Sequence, residues 1–563
     1  MPQDAFTLKY LCAELNTLLG GGKINRIVEP DNDRVVFTVY TGRTTLKLLL
    51  DVNPGSPRIG IIDKEGDSPL TAPNFCMLLR KHLLNATIDG IELLGFDRIV
   101  KIDLTPSTEF FDDKQKTLYV ELMGRYSNII LTQDGKILGG NRGVNVLGDF
   151  VRPLIVGKPY VLPPSNEKLL PSDKSLIDYF SSCDCEDYAR SIANGVQGLA
   201  VDTAKEMVVG FNKDINQNPS EFFEYLNNFI YNAKPNPCVS IKDGEVKDVF
   251  VFPYTINNNP LKSFDHLYLA EQFYYLERAK LKIFKALFDR LNSIVGTALK
   301  KAKKRLNAIC LKEKDANGLE ENRLKGELIM ANIYRIKQGD SQIIADNYYD
   351  GSKLKIELNP LLPPQKNAEN YYKKYNKQKR ALQSIIPQKE MALAEFDYLT
   401  SVSDYVTLAK TITDLTLIRD ELKAYGLIKE EGTRRKEKPE HNSYRVYDVK
   451  GFTVKVGRNN TENDKLTFTA RAESVWLHAK DYHSSHAIIE YNGKQPPSEV
   501  VVIASEICAY YSKGRNGGKV EIVYTPKKNV KKPPHSKPGF VTYTNYSSIL
   551  VNPSEHAELL KTD

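Results

Sequence analysis

The sequence predicts a multidomain α+β protein organised around a long antiparallel coiled coil, and three observations lead to this fold class. The chain has 563 residues, too many for a single hydrophobic core. Apolar residues in its middle third recur at spacings of three, four and seven, as they do in coiled coils. On both sides of that segment, short runs alternate between apolar and polar residues, as they do in β-strands. We therefore expect a helical arm between sheet-containing domains.

Residues 1–164 form the first predicted domain, a mixed α and β region. A helix is predicted over residues 6–19, because three glycines follow it and glycine commonly follows a helix C-terminus. Alternation over residues 35–40 predicts a strand, and residues 75–84 predict a short helix with basic residues near its end. This region should therefore carry a sheet with at least two helices.

Residues 165–265 form the second predicted domain, which we expect to be helical. The segment Gly195-Val196-Gln197-Gly198-Leu199 joins two helical patterns and predicts a helix-hairpin-helix arrangement. A glycine hairpin of this kind can present backbone N–H groups to a phosphate, although glycine at a helix end is more often only a cap.

Residues 266–428 form the predicted arm. One helical pattern runs to about residue 334 and a second runs from 367 to about 424, with an insertion near 338–366 that includes a strand-like stretch. Two long helices around a compact insertion predict an antiparallel hairpin. At 1.5 Å per residue, about 60 residues give a length of roughly 90 Å, which indicates reach rather than core formation.

The last part of the chain divides into a charged linker, residues 429–440, and a mainly β domain, residues 441–563. Residues 498–512 predict a helix in that domain. The domain limits at 164, 265, 428 and 440 come from these changes of pattern.

Basic residues are clustered along the chain, whose net charge is +8. No acidic residue stands between Glu521 and Glu555, a stretch that holds several lysines. Such clusters favour a polyanionic partner, and three separate ones favour a nucleic acid over solvated faces. The clusters are Lys300, Lys301, Lys303, Lys304 and Arg305; Lys373, Lys374, Lys377, Lys379 and Arg380; and Lys527, Lys528, Lys531, Lys532 and Lys537.

Several classes of protein are disfavoured. The seven cysteines form no CxxC pair, which argues against a disulfide framework and a zinc ribbon and fits a reducing cytosol. No run approaches the roughly 20 apolar residues of a membrane span, and the first ten residues lack a signal-peptide pattern. Phosphate-loop, nucleophile-elbow and kinase motifs are not found. We expect a cytoplasmic protein that is not an enzyme, uses no cofactor and does not contact a membrane.

The densest group of polar and aromatic residues runs from Trp476 to His486, and three readings of it stay open. It could be a metal site formed by His478, Asp481, His483 and His486, or a structural strand with polar residues facing solvent. It could also be an RNA surface in which aromatic rings stack on bases and cations meet phosphates. The lysines of the same domain favour RNA. The residues of this candidate surface are Trp476, His478, Lys480, His486, Lys513, Arg515, Lys527, Lys528, Lys531 and Lys532.

The N-terminal region offers a second candidate, Asp97-Arg98. An adjacent acid and base is usually a surface pair of small energetic value. It could also be a recognition pair, in which the arginine donates to a phosphate or base and the aspartate accepts from a base. Leu122-Met123-Gly124-Arg125 has the same character.

Taken together, these motifs resemble one family in chain order, the NFACT family, in a length typical of its bacterial members. The resemblance rests on Phe75-Cys76-Met77-Leu78-Leu79-Arg80-Lys81, Asp97-Arg98, Glu121-Leu122-Met123-Gly124-Arg125, Asn347-Tyr348-Tyr349, Trp476-Leu477-His478-Ala479-Lys480, Tyr511-Ser512-Lys513 and Lys537-Pro538-Gly539. It departs at the start, where Pro2-Gln3-Asp4-Ala5 replaces the usual small residue, Phe, Asp and Gly. It departs again at Tyr482-His483-Ser484, where Pro-Gly is usual.

The resemblance implies a glycosylase-like N-terminal domain, a helix-hairpin-helix domain, a coiled coil and a C-terminal NFACT-R domain. It implies ribosome-associated quality control: binding of the obstructed large ribosomal subunit with its peptidyl-tRNA, recruitment of alanyl-tRNA, and alanine tailing without mRNA, with the bonds made by the ribosome. Asp97, Arg98, Glu121, Met123 and Arg125 would bind tRNA. Asn347, Tyr348 and Tyr349 would bring the arm to the rRNA and stalk base, and an RqcP-like factor would be a partner.

Two alternatives remain at this point. The N-terminal domain's likeness to formamidopyrimidine-DNA glycosylases makes Pro2 a candidate amine nucleophile, although Gln3 replaces the glutamate such enzymes use as acid and base. Relatives have also carried the label fibronectin-binding, which suggests a surface adhesin, although no export signal is seen in the sequence.

Overall fold

The computed structural model describes residues 3–66, 68–107, 114–142, 152, 154–164, 168–183, 186–316, 318–429 and 444–561. The chain divides into two compact units, Met1–Leu281 and Lys282–Asp563. Each unit has its own buried core.

The first unit is built on a nine-stranded antiparallel sheet in the spatial order β4-β3-β2-β1-β5-β6-β7-β8-β9. Every neighbouring pair is antiparallel, and the buried alternate side chains of its strands form one core with the helices. The strands are β1 (Lys23–Asp31), β2 (Arg34–Tyr40), β3 (Thr45–Asp51), β4 (Arg58–Ile62), β5 (Thr87–Leu93), β6 (Ile99–Thr105), β7 (Lys116–Glu121), β8 (Asn128–Gln133) and β9 (Lys136–Gly140).

Two helices accompany this sheet, as predicted. α1 (Ala5–Leu19) is capped at its N-terminus by Asp4, whose side chain accepts a hydrogen bond from the backbone N of Thr7. It ends at Gly20, so the glycine run is a helix cap as predicted. α2 (Asn74–Leu83) carries its three basic residues in its last turn, where they complement the helix dipole.

Four further helices follow: α3 (Leu176–Ser181), α4 (Tyr188–Gly195), α5 (Val201–Phe211) and α6 (Pro219–Asn232). The prediction that residues 165–265 are helical throughout is wrong. A three-stranded sheet closes the segment, with β10 (Cys238–Lys242), β11 (Glu245–Phe250) and β12 (Leu261–Ser263). The turn between β10 and β11 is Asp243-Gly244, and both residues have positive φ, as the tightest hairpins require.

The boundary between the units falls within α7 (Leu267–Ala316). In the second unit α7 packs against α9 (Pro364–Leu408), and the predicted antiparallel hairpin is confirmed. Arg305 pairs with Glu395, and Glu313, further along α7, pairs with Lys389, earlier in α9. Residue numbers thus rise on one helix as they fall on the other.

Each of the two long helices predicted for the arm is divided into two helices in the structure. α8 (Leu319–Ala331) follows Gly318, and α10 (Ile412–Ala424) begins at Thr411. Thr411 and Asp414 cap each other's backbone N–H groups, a capping box that starts a new helix. Between α8 and α9 lies the predicted hairpin, β13 (Gln342–Asp346) and β14 (Lys353–Glu357).

Residues 444–561, the C-terminal domain, hold a six-stranded sheet in the order β15-β16-β18-β17-β19-β22. The predicted helix over 498–512 is present as α12 (Ser498–Tyr510), and one helix was not predicted, α11 (Asn460–Thr469). The strands are β15 (Arg445–Val449), β16 (Phe452–Val456), β17 (Val475–Ala479), β18 (Ala487–Ile489), β19 (Val520–Pro526) and β22 (Ser547–Val551), with a separate pair β20 (Val530–Lys531) and β21 (Thr542–Tyr543).

Both faces of this six-stranded sheet are covered. Val475, Leu477 and Ala479 of β17 pack in one cluster with α12, whereas Trp476 points to the other face and packs with Leu466 of α11. A strand with both faces buried carries apolar side chains at consecutive positions. Because of this arrangement the Trp476 ring is fully buried.

Candidate nucleic-acid interface

The Asp97-Arg98 pair lies in the turn between β5 and β6. The turn is shaped by positive φ at Gly95 (58°) and Phe96 (47°), and the Phe96 side chain is buried. Asp97 Oδ1 accepts a hydrogen bond from the backbone N of Arg98 at 2.7 Å, and both side chains are half-buried. The backbone of the turn therefore fixes the Asp97 carboxylate beside Arg98.

The helix hairpin between α4 and α5 contacts this same turn, because Gln197 Nε2 lies 3.5 Å from Asp97 Oδ2. The hairpin also contacts the start of α1, where the backbone N of Ala5 donates to Gly198 O at 2.9 Å. Gly198 has φ +78°, and a Cβ there would lie 2.2 Å from Phe96 O, so only glycine allows the approach. Two features that are separate in the sequence thus meet at one place.

Asp4 ties α1 to the hairpin and was not identified from the sequence. Its Oδ2 accepts hydrogen bonds from Thr203 Oγ1 at 2.7 Å and from the backbone N of Ala200 at 3.2 Å. An aspartate directly before a helical pattern predicts an N-cap, but the second use of its carboxylate depends on contacts nearly 200 residues away.

The motif at residues 121–125 adjoins the turn, because the backbone N of Leu122 donates to Arg98 O at 2.8 Å. Glu121 itself is only 2% exposed. Arg152 holds its carboxylate by two hydrogen bonds of 2.5 and 3.1 Å, and Tyr160 Oη donates to it at 2.8 Å. The expectation that Glu121 contacts tRNA is wrong for this structure, because its oxygens are buried and engaged; it positions the strand end instead.

Met123 is half-buried and Arg125 is exposed beside the turn. Tyr126, which the sequence did not single out, is 59% exposed and lies under the Arg125 guanidinium, 4.7 Å from its ring centroid. An arginine over an exposed aromatic ring offers both a cation and a stacking face. Arg125 and Tyr126 are therefore the accessible part of this motif.

Gln3, at the start of the chain, is 4% exposed, and its amide is fully engaged. Its Nε2 donates to Ile59 O at 2.8 Å and to Glu271 Oε2 at 2.6 Å, and its Oε1 accepts from the backbone N of Ile59. Burial raises the pKa of Glu271 to about 8. Gln3 thus has a structural role; Pro2, the candidate nucleophile, lies outside the described residues.

In the C-terminal domain, the proposed base-stacking role of Trp476 and His486 is wrong. They are 0% and 1% exposed, because the second face of the sheet is covered. The Trp476 ring stacks on His478, with 5.6 Å between the ring centroids and 3° between the planes, and meets His486 edge-on at 5.3 Å. Trp476 and His486 therefore belong to a core network and leave no ring face open to a base.

His478 is half-buried, and burial lowers its pKa to about 4; burial likewise lowers the pKa of His486 far below the usual value. Both imidazoles are therefore neutral at pH 7. His486 Nδ1 lies 2.8 Å from Thr467 Oγ1, and His483 Nδ1 lies 2.8 Å from Asp404 Oδ2. The metal site considered for this segment is not formed, because within the described residues no three His, Cys, Asp or Glu side chains are placed to hold a metal ion.

The predicted cations of this domain differ in how far their charge is compensated. Lys480 pairs with Glu521 at 3.1 Å, and Lys513 with Asp404 at 3.2 Å. Lys532 pairs with Asp464 of α11. The lysine-rich stretch, which contains no acidic residue in its own sequence, therefore has an acidic neighbour in the folded protein. Exposed Lys528 and Lys531, half-buried Lys527 beside the Phe468 ring and half-buried Arg515 near Tyr510 complete the set.

At the far end of the arm, Asn347 is 7% exposed and organises a turn. Its Oδ1 accepts from the backbone N of Tyr349 at 3.1 Å, and its own backbone N donates to Ser352 O. Tyr348 and Tyr349 are 60% and 64% exposed, with both hydroxyls near Glu327. Asn347 therefore presents the two tyrosines and is not itself accessible for a ribosome contact, contrary to the prediction.

No helix in the described ranges is both long enough and apolar enough to cross a membrane. The described residues thus present accessible arginine, lysine and aromatic side chains at several places in the fold, as nucleic-acid-binding proteins do.

Comparison with known proteins makes this specific. Residues 4–441 match the family described as NFACT N-terminal and middle domains, and residues 443–544 match the NFACT protein RNA binding domain. The chain belongs to the NFACT family. It is 32% identical over 564 residues to the Rqc2 homolog RqcH of Streptococcus suis, covering 99% of both chains, and 31% identical over 556 residues to that of Bacillus subtilis, covering 96% of both.

Among solved structures, the N-terminal part of the fibronectin/fibrinogen-binding protein from Streptococcus suis is similar, with 29% identity and a TM-score of 0.42 over 48% of this chain and 98% of that one. The C-terminal part of the same protein is 30% identical, with a TM-score of 0.38 over 48% of this chain and 96% of that one.

Proposed function

We propose that this NFACT chain is a ribosome-associated quality-control factor. It would bind the obstructed large ribosomal subunit carrying peptidyl-tRNA, recruit alanyl-tRNA and support alanine tailing without mRNA, while the ribosome's peptidyl-transferase centre forms the bonds. Similarity to RqcH proteins over nearly the whole chain supports the general role. The observation that carries the tRNA part is the convergence of the Asp97 turn, the Gly198 hairpin and the 121–125 motif.

In this proposal each accessible surface has one partner. Asp97, Arg98 and Arg125, joined by Tyr126, bind tRNA through phosphates and an unstacked base. The exposed tyrosines Tyr348 and Tyr349 bring the arm to the stalk base, and the lysines of the C-terminal domain contact rRNA. An RqcP-like factor would complete the assembly. The domain limits at 164, 265, 428 and 440 are part of the proposal.

The test is a double variant that keeps the turn intact, Asp97→Asn with Arg98→Ala. Asparagine retains an oxygen to accept from the backbone N of residue 98, so the variant should melt within a few degrees of the wild type. In a reconstituted assay with obstructed large subunits, it should lose alanine tailing, read as nascent-chain length on a gel.

The matched control is Lys213→Ala with Glu221→Ala, an ion pair of the same unit in which both side chains are more than half exposed. It should tail like the wild type, because an exposed pair contributes little. If the turn variant still tails, the tRNA assignment is wrong. If neither wild type nor control co-sediments with large subunits, the ribosome role itself fails.

A further inference from the structure

A cleft of about 650 Å³ lies in the second unit, between α9 and the C-terminal domain. We name it the α9 cleft. One wall is formed by α9, the floor by side chains of α11 and of the segment after β17, and the other wall by the loop 535–540. Its size is within the roughly 300–1,000 Å³ that small-molecule sites occupy. Neither the Asp97 turn nor Tyr348 and Tyr349 line it, whereas His478 and Lys537 do.

The floor of the α9 cleft is built from buried polar groups that hold one another. Asn463 Nδ2 donates to Tyr405 Oη at 2.6 Å, and Tyr405 Oη donates to Ser484 O at 2.7 Å. Asn460 Nδ2 donates to Ser401 Oγ at 3.0 Å. A floor that is already ordered requires little further ordering when a ligand binds.

The loop wall places an aromatic ring and a cation at the mouth. Phe540 is 56% exposed, and Lys537 Nζ donates to Tyr425 Oη at 3.2 Å. The loop is fixed from behind, because the backbone N of Gly539 donates to Asp464 Oδ1 at 3.1 Å and a Cβ on Gly539 would lie 2.3 Å from Asn460 Oδ1. An aromatic face held open beside a lysine is how RNA-binding proteins receive an unstacked base.

The charges of the opposite wall decide which part of an RNA can enter. α9 contributes the carboxylates Glu390 and Asp397 to the lining, and Glu395, which Arg305 compensates at 2.9 Å. These carboxylates repel a phosphate from the α9 side. A neutral base can therefore enter the cleft, while its phosphate stays at the Lys537 side.

His478 borders the cleft from the floor and carries Trp476 stacked behind it. Because it is neutral at pH 7, one ring nitrogen can donate and the other accept, which suits the mixed edge of a base. Trp476 is the only tryptophan of the chain. It is therefore a built-in reporter for anything that contacts His478.

We propose that the α9 cleft receives a single unpaired base of an RNA, stacked on Phe540, with the adjoining phosphate at Lys537. This deepens the proposed function and rests on its RNA-binding part. An apolar peptide side chain is the competing occupant, because Met391 and Pro538 also line the cleft.

The experiment uses the full chain labelled with 5-fluorotryptophan, which gives one ¹⁹F resonance for Trp476. Two RNA hairpins are titrated that differ only in one bulged adenosine, and affinity is measured in parallel by fluorescence anisotropy. The bulged hairpin should shift the resonance and the unbulged hairpin should not. Phe540→Ala should abolish the shift and weaken the bulged hairpin's binding roughly tenfold, as expected for one lost stacking contact.

Phe468→Ala is the control, because Phe468 is a partly exposed phenylalanine of the same domain that does not line the cleft; it should preserve the shift. If both hairpins bind with equal affinity and neither moves the resonance, the cleft proposal is overturned and RNA binding stands. If no RNA binds, both proposals fail. A shift produced by N-acetyl-leucyl-phenylalanine amide, and not by RNA, would overturn the base site in favour of a peptide site.

Discussion

The Asp97 turn and the Trp476 segment are both candidate RNA contacts in the sequence, yet the fold uses them in opposite ways. The turn projects between two strands, and the glycine hairpin holds it without covering it. Trp476 lies on a central strand with both faces covered, so its ring belongs to the core. A dense group of polar and aromatic residues therefore does not by itself indicate a surface. Whether such a group is exposed depends on which other elements of the fold pack over it.

The largest expected effect is on the buried side of this comparison. Trp476→Ala should lower the free energy of unfolding of the second unit by about 3–5 kcal/mol, because a large buried ring leaves a cavity. Trp476→Phe should cost clearly less, since the indole N–H has no hydrogen-bond partner among the described residues. Urea denaturation followed by circular dichroism measures both. Equal, small losses would place Trp476 outside the core.

The next effect concerns how the hairpin holds the turn. Gly198→Ala should cost roughly 2–3 kcal/mol, because φ is +78° and the new Cβ would lie 2.2 Å from Phe96 O. Gly244 has the same φ of +78°, but nothing lies within 4 Å of a Cβ there, so Gly244→Ala should cost about 1 kcal/mol. Thermal melts of the two variants isolate the contact. Equal losses would mean that the hairpin does not press on the turn.

How much of this could be read from the sequence depends on the range of the interactions. The arm was predictable because coiled-coil spacing is a local pattern, although the helix starts after Gly318 and at Thr411 were missed. The β10–β11 hairpin was missed although Asp243-Gly244 is a local signal, because the surrounding runs are short. The burial of Glu121 could not be predicted, since Arg152 and Tyr160 reach it from 31 and 39 residues away.

A smaller effect is the response of the Trp476 segment to pH. Burial lowers the folded-state pKa of His478 to about 4 from its usual value of 6.5, so the folded state binds fewer protons than the unfolded state between these values. The stability it contributes is present above pH 6.5 and is lost as pH falls towards 4, by about 1 kcal/mol between pH 7.5 and 5.5. His486 acts in the same direction.

Chemical denaturation at the two pH values checks this. His478→Gln should reduce the loss, whereas His535→Gln, at an exposed histidine, should leave it unchanged. An unaltered pH dependence in the His478 variant would show that this imidazole is charged in the folded protein.

The smallest effect tests whether a lysine on the exposed side of the C-terminal domain acts through its charge alone. Lys528 is exposed, whereas Lys532 is paired with Asp464. Lys528→Ala should weaken binding of labelled rRNA fragments a few-fold, whatever their sequence, and reduce the slope of log affinity against log salt by about 1, as expected for one phosphate contact. Lys532→Ala should change the slope less, because Asp464 already compensates that charge. A slope change for Lys532→Ala as large as that for Lys528→Ala would show that the ion pair opens when RNA binds.

Asp464 also accepts a hydrogen bond from the backbone N of Gly539. Lys532→Ala would therefore act through the loop that bears Phe540 and alter the binding of bulged RNA more than that of unbulged RNA.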